Sequence, residues 1–179
     1  RALGDLNEAQ ARLEEALGLA QLRSLPQQAA QAMLSLGLLA LNRGDLSQAA
    51  EWLEQARDAF IEQDAHARVA STEFALARLD FRRRDTVSAG QRLDNAARLS
   101  AELGYDQFLV DAATEEPELA QWATRHTSQP AFWTQIRRRV AQRNQGAMTG
   151  PPPLEVITLG RAKIRVLGEE AATEWANLR

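Results

Sequence analysis

Apolar residues over the first hundred positions of this chain recur at the three- and four-residue spacing of a helix, and the whole pattern recurs forty residues later. Four positions coincide in three copies: Asp5, Asp45 and Asp85; Ala9, Ala49 and Ala89; Leu13, Leu53 and Leu93; Ala16, Ala56 and Ala96. Alanine, leucine and alanine spaced by four and three share one face of a helix, and small residues there let a neighbouring helix come close. Each aspartate stands where such a helix should begin. Glu8 and Gln48, three residues after the first two, give the spacing of a capping box.

A second helix is predicted ahead of each of the later blocks. Leu36-Gly37 with Leu39 and Leu76-Ala77 with Leu79 recur at the same period, and Pro26 marks the first turn of the earlier one. The predicted unit is therefore two antiparallel helices. The first copy keeps only its second helix, so the chain is expected to begin inside a longer array.

Beyond Glu102 the pattern changes. Gly104 is expected to end a helix, Pro117 to open one carrying Leu119, Trp122 and Ala123, and Pro130 to open another running to about Asn144 with Phe132, Ile136 and Val140 on one stripe. Residues 145–153 read as a linker because glycine and three successive prolines fill them. Leu154 to Gly160 and Ala162 to Gly168 are rich in β-branched residues and predict two short strands, with Thr173 to Arg179 able to start a helix.

Leu36-Gly37 followed by Ala49, Leu53 and Ala56 resembles the tetratricopeptide repeats, with Ala77 replacing glycine in the third copy. The resemblance covers about residues 1–104 and implies an all-α, right-handed superhelix of antiparallel helix pairs. A period of 40 rather than the usual ~34 is similar to the longer repeats of large bacterial transcriptional activators, including the maltose-activator type. The segment from Pro153 to Gly160, followed by Ala162 to Glu170, resembles the opening β-hairpin of the winged-helix domain in activators of the antibiotic-regulator type. The implied organisation is a repeat domain over 1–144 (repeats at about 1–24, 25–64 and 65–104, capping helices at 105–144), a linker at 145–153 and a partial winged-helix segment at 154–179. The recognition helix that would enter a DNA groove is not in this sequence.

Composition narrows the function classes. The chain has no cysteine, and its two histidines, His66 and His126, lie far apart, so neither a thiolate nor a histidine metal site is expected. Of 21 basic residues only Lys163 is lysine, a bias that GC-rich coding explains. Residues 1–112 hold 12 Lys+Arg against 17 Asp+Glu, which is unsuited to binding nucleic-acid phosphates directly. The longest apolar stretch, Leu36 to Leu41, is far below the roughly 20 residues a membrane helix needs. A cytoplasmic, non-membrane protein is expected.

No catalytic residue, metal site or cofactor is expected. No glycine-rich phosphate loop is present, and neither histidine has a nucleophile at a recognisable spacing. The carboxylate pairs Glu14-Glu15, Glu115-Glu116 and Glu169-Glu170 diverge on a helix and read as solvated charges. The repeat resemblance places partner binding on the concave face, carried by Gln31, Leu34, Leu38, Leu41 and Asn42 and then by Ser71, Phe74, Arg78, Phe81 and Arg82. The core of that set is Leu34, Leu38, Asn42, Phe74, Arg78 and Arg82. An acidic peptide, a protein or a small effector is the expected ligand, with packing into the core or a homodimer through the leucines as alternatives. Arg137, Arg138, Arg139 and Arg143 form either a solvated helix face or a contact for DNA phosphates or an acidic partner. Two function classes follow: the regulatory region of a bacterial transcriptional regulator, or a general interaction scaffold.

Overall fold

A computed structural model describes the backbone of residues 2–148, 154–157, 163–166 and 169–170, and the side chains of residues 6–143. The chain divides into two compact units, Arg1–Val140 and Ala141–Arg179. In the first unit the described residues are all-α. The helices are α1 (Ala2–Leu22), α2 (Pro26–Arg43), α3 (Leu46–Glu62), α4 (His66–Arg82), α5 (Thr86–Leu103), α6 (Gln107–Glu115), α7 (Pro117–His126) and α8 (Pro130–Met148). In the second unit Leu154–Ile157 pairs antiparallel with Lys163–Val166, which also pairs with Glu169–Glu170.

The turns explain why the period is forty. Ser24, Gly44, Asp64, Arg84 and Gly104 all have positive φ, between 53° and 82°, and stand twenty residues apart. At each of them the same two backbone hydrogen bonds close the helix. The N–H of the left-handed residue donates to the carbonyl three residues back, and the next N–H donates to the carbonyl five back, as in Gly44 to Leu41 and Asp45 to Ala40. This Schellman turn satisfies the last carbonyls and sends the chain directly into the next helix. Asp45 and Asp85 then cap α3 and α5, accepting from the backbone N–H of Gln48 and Ser88 at 3.1 and 3.0 Å.

Two expectations need correction here. Asp5 does not start a helix, since α1 already begins at Ala2. The linker is also shorter than predicted: α8 runs through Gln145 to Met148, because glutamine, alanine and methionine favour helix and no proline comes before Pro151.

The repeat face is the core. Ala49, Leu53 and Ala56 in α3 and Ala89, Leu93 and Ala96 in α5 are fully buried. Gly37 lets α2 approach so closely that Leu53 sits directly over its Cα. A second core joins α4 and α5 to α6, α7 and α8 through Phe74, Leu93, Leu109, Leu119, Trp133 and Ile136. Among the described residues, polar contacts also join adjoining repeats. Arg43 reaches Asn7 and Gln10, Arg83 donates to the Leu46 carbonyl, and Asp94 accepts from the Ser128 N–H, each link spanning 33 to 37 residues.

Candidate functional site

α2, α4 and α6 share a face, and a recess of about 190 Å³ opens on it. Five of the residues named from the sequence line it: Leu34, Leu38, Ser71, Phe74 and Arg78. The far wall is α6, which contributes Phe108, Asp111, Ala112 and Glu115. Leu34 and Phe74 form the buried floor, while Leu38, Phe108 and Ala112 are half-buried. Phe74 also belongs to the core, since its ring lies 5.9 Å from that of Trp133. It is 3% exposed. Leu41 is fully buried, and Phe81 packs against Trp122 at 5.6 Å.

The two arginines are not open cations. Arg78 Nη2 donates to Asn42 Oδ1 at 2.8 Å, which brings two residues of the predicted set together. Its Nε lies against Glu116 Oε1 as an ion pair without hydrogen-bond alignment. Arg82 Nη1 donates to the Leu41 carbonyl at 2.6 Å, and its Nη2 reaches the same Glu116 oxygen at 3.4 Å. One carboxylate oxygen thus serves two guanidinium groups. Burial pulls Arg78 below its ordinary pKa, and the charge of Glu116 opposes that pull.

Glu116 therefore corrects the reading of Glu115-Glu116 as a solvated pair. It is the one-residue break between α6 and α7, with φ −127° and ψ 65°, and its side chain caps neither helix. Proline at 117 forces the break. The carboxylate is turned toward α4 instead.

The arginine run of α8 is also divided. Arg139 pairs with Asp106 and donates to Gln107 Oε1 at 2.8 Å, tying α8 to the start of α6. Arg137, Arg138 and Arg143 are exposed. The four arginines therefore do not form one continuous exposed cluster, since Arg139 is committed to Asp106 and Gln107.

Two features had no signal in the sequence. Arg92 on α5 meets Glu54 at 2.5 Å and both Glu73 and Asp80 at 3.4 Å, so one cation holds carboxylates from α3 and α4. Burial raises Glu73 and Asp80 above ordinary carboxylate values, while Arg92 draws them down. Burial lowers Arg92 itself, but Glu54, Glu73 and Asp80 together leave it raised. The second feature is an open depression of about 510 Å³ between α5 and α7, lined by Val87, Gly90, Asp94, Trp122 and His126. The His126 ring stacks on Trp122 at 4.6 Å, with its Nδ1 bonded to the Trp122 carbonyl. Among the described residues no group of three or more His, Cys, Asp or Glu side chains forms a metal site, and no helix is long and apolar enough to cross a membrane.

No family model and no curated protein matches this chain. A solved structure does: the crystal structure of BtubC (BKLC) from P. vanneervenii, with a TM-score of 0.58 and 20% sequence identity. The match covers 88% of this chain and spans 64% of that one. At this identity the likeness concerns the fold alone.

Proposed function

We propose that this chain is a partner-binding helical-repeat region of the tetratricopeptide type, a right-handed superhelix whose concave face is formed by α2, α4 and α6. The single observation carrying this reading is the recess at Leu34, Leu38 and Arg78, where residues assigned from repeat positions surround one cavity. An apolar floor rimmed by polar groups suits a side chain of a peptide or a small effector.

The wider setting is a bacterial transcriptional regulator. The period of forty supports it, as does the antiparallel pairing of Leu154–Ile157 with Lys163–Val166 after a proline-rich stretch. A ligand that favours one arrangement of the array would bias the state passed to an adjoining DNA-binding domain. DNA contact belongs to that domain and not to the acidic repeats.

The test is an unbiased peptide array probed with the chain and with Leu38→Glu, a change at a half-buried position. Peptides retained by the parent and lost by a variant of equal melting temperature mark the recess. If both proteins retain the same peptides, binding lies elsewhere.

A further inference from the structure

The open depression between α5 and α7 is separate from the recess, since none of its lining residues lies on α2, α4 or α6. Its lining holds one carboxylate, Asp94, and no arginine or lysine. Asp94 is half-buried, and its Oδ1 accepts from the Ser128 N–H at 2.9 Å. Among the described residues no cation pairs with it. Every other buried or half-buried carboxylate among them, namely Glu54, Glu73, Asp80, Asp106 and Glu116, is paired with an arginine.

α7 adds acceptors of its own. The His126 carbonyl receives no N–H among the described residues, because position 130, which would supply the N–H of a further helical turn, is proline. That oxygen lies at the negative end of the α7 dipole. The His126 Nδ1 is bonded to the Trp122 carbonyl, which can only accept, so Nδ1 carries the hydrogen and the neutral ring leaves Nε2 as an acceptor. Stacked on Trp122, the ring also gives the depression a flat wall.

Space is left open beside these groups. A Cβ on Gly90 would meet the His126 carbonyl oxygen at 3.5 Å and the Trp122 ring at 3.8 Å, both ordinary contacts, so the packing of α5 on α7 does not require glycine. Its lack of a side chain keeps the depression clear. Val87, also in the lining, is 70% exposed.

We infer that this depression is a second binding site, taking the guanidinium of an arginine side chain on a partner polypeptide. A guanidinium is flat and carries five N–H donors and no acceptor, which matches a flat ring accompanied by the Asp94 carboxylate, the His126 carbonyl and Nε2. Its methylene stem lies along Val87, as arginine stems do on apolar surface. A lysine ammonium brings the charge but no plane to stack, and an acidic group would meet Asp94 with no cation to offset it. Because the depression is open, it receives the end of a long side chain rather than enclosing a small molecule.

The test titrates the chain with the blocked tripeptide Gly-Arg-Gly and with its lysine and citrulline counterparts, citrulline being the uncharged analogue of arginine. NMR follows the Trp122 indole and His126 imidazole signals. The arginine peptide is expected to shift both, and to bind about tenfold more tightly than the citrulline peptide, as a charged hydrogen-bonded pair exceeds a neutral one. It should also bind more tightly than the lysine peptide. Asp94→Asn keeps an acceptor for the Ser128 N–H and removes the charge, so it should lose that tenfold with Tm within about 2 °C of the parent. Gln91→Arg, at an exposed position of the lining, sets the chain's own guanidinium in the depression and should abolish peptide binding even if Asp94→Asn lowers stability. Equal affinity for the arginine peptide and either counterpart, or binding that survives Gln91→Arg, overturns the assignment. So does the absence of any shift, or shifts confined to Leu38 and Phe108 in the recess. A dimer of the parent that Asp94→Asn dissociates in sedimentation makes a second copy the occupant and overturns a separate partner.

Discussion

Leu53 lies over Gly37 so closely that a Cβ built on the glycine would fall 2.7 Å from both its Cγ and its Cδ2. Leu53 is fully buried and has nowhere to swing. Helix propensity favours alanine over glycine by about 1 kcal/mol, but overpacking a filled core costs about 1–3 kcal/mol. Gly37→Ala should therefore lower stability by about 1 kcal/mol in urea titration. Gly18→Ala, where a Cβ meets nothing within 4 Å, should raise it by a similar amount.

Arg84 ends α4 with φ 65°, in the position that glycine fills after α2 and α5. A side chain in the left-handed region costs about 1–2 kcal/mol, part of which glycine returns as chain entropy. Arg84→Gly is expected to stabilise the fold by up to about 1 kcal/mol, and Gly44→Ala to destabilise it by about 1–2 kcal/mol. Thermal melting of both variants checks the pair.

Breaking the Arg78 and Glu116 contact should expose its worth. The arginine side chain is 11% exposed and the carboxylate 22%, so the pair is neither fully screened nor fully buried. Arg78→Met should cost about 1–2 kcal/mol, a buried-pair loss discounted for solvent. Because Arg78 Nε is poorly aligned, the double variant with Glu116→Gln should recover part of that loss. Complete additivity in the double-mutant cycle would show that the two groups do not interact.

Glu73 gives a pH signature whose sign follows from its raised pKa. Burial, the largest cause, penalises the charged form, and Arg92 offsets it only in part. The folded state then binds this proton more readily than the unfolded state, whose value is about 4.3. Its stabilising contribution is fully present below the unfolded value and is lost as pH rises through the folded one. Glu73→Gln should flatten the fall in stability on going up through that window. Asp85 acts oppositely: hydrogen bonds from Ser88 lower its pKa, so its contribution is lost as pH falls through the folded value.

The helices of the repeat region were legible because their signals are local. Proline at 26, 117 and 130 opens helices, glycine at 104 closes one, and Ala-Leu-Ala spacing names the buried face. Ser24, Asp64 and Arg84 carry the same turn without the residue that announces it. The site was legible only in outline, since repeat positions find Leu34, Leu38 and Arg78 but not what faces them. Glu116 is adjacent to Glu115 in sequence, and its role depends on a packing of α6 against α4 that no spacing rule encodes. Arg92 is equally silent, because its three carboxylates come from two other helices. Trp133, fully buried, fell one residue off the stripe of Phe132, Ile136 and Val140.

The identical turns every twenty residues, with polar links that among the described residues reach the adjoining repeat, also fix how α1 to α5 would carry a load. No contact among the described residues ties the first helix to the fifth, so tension applied at the two ends passes through each pair in series, as through links of a chain. The weakest pair yields first and alone, releasing about 40 residues, or roughly 140 Å of slack at full extension, while its neighbours stay folded.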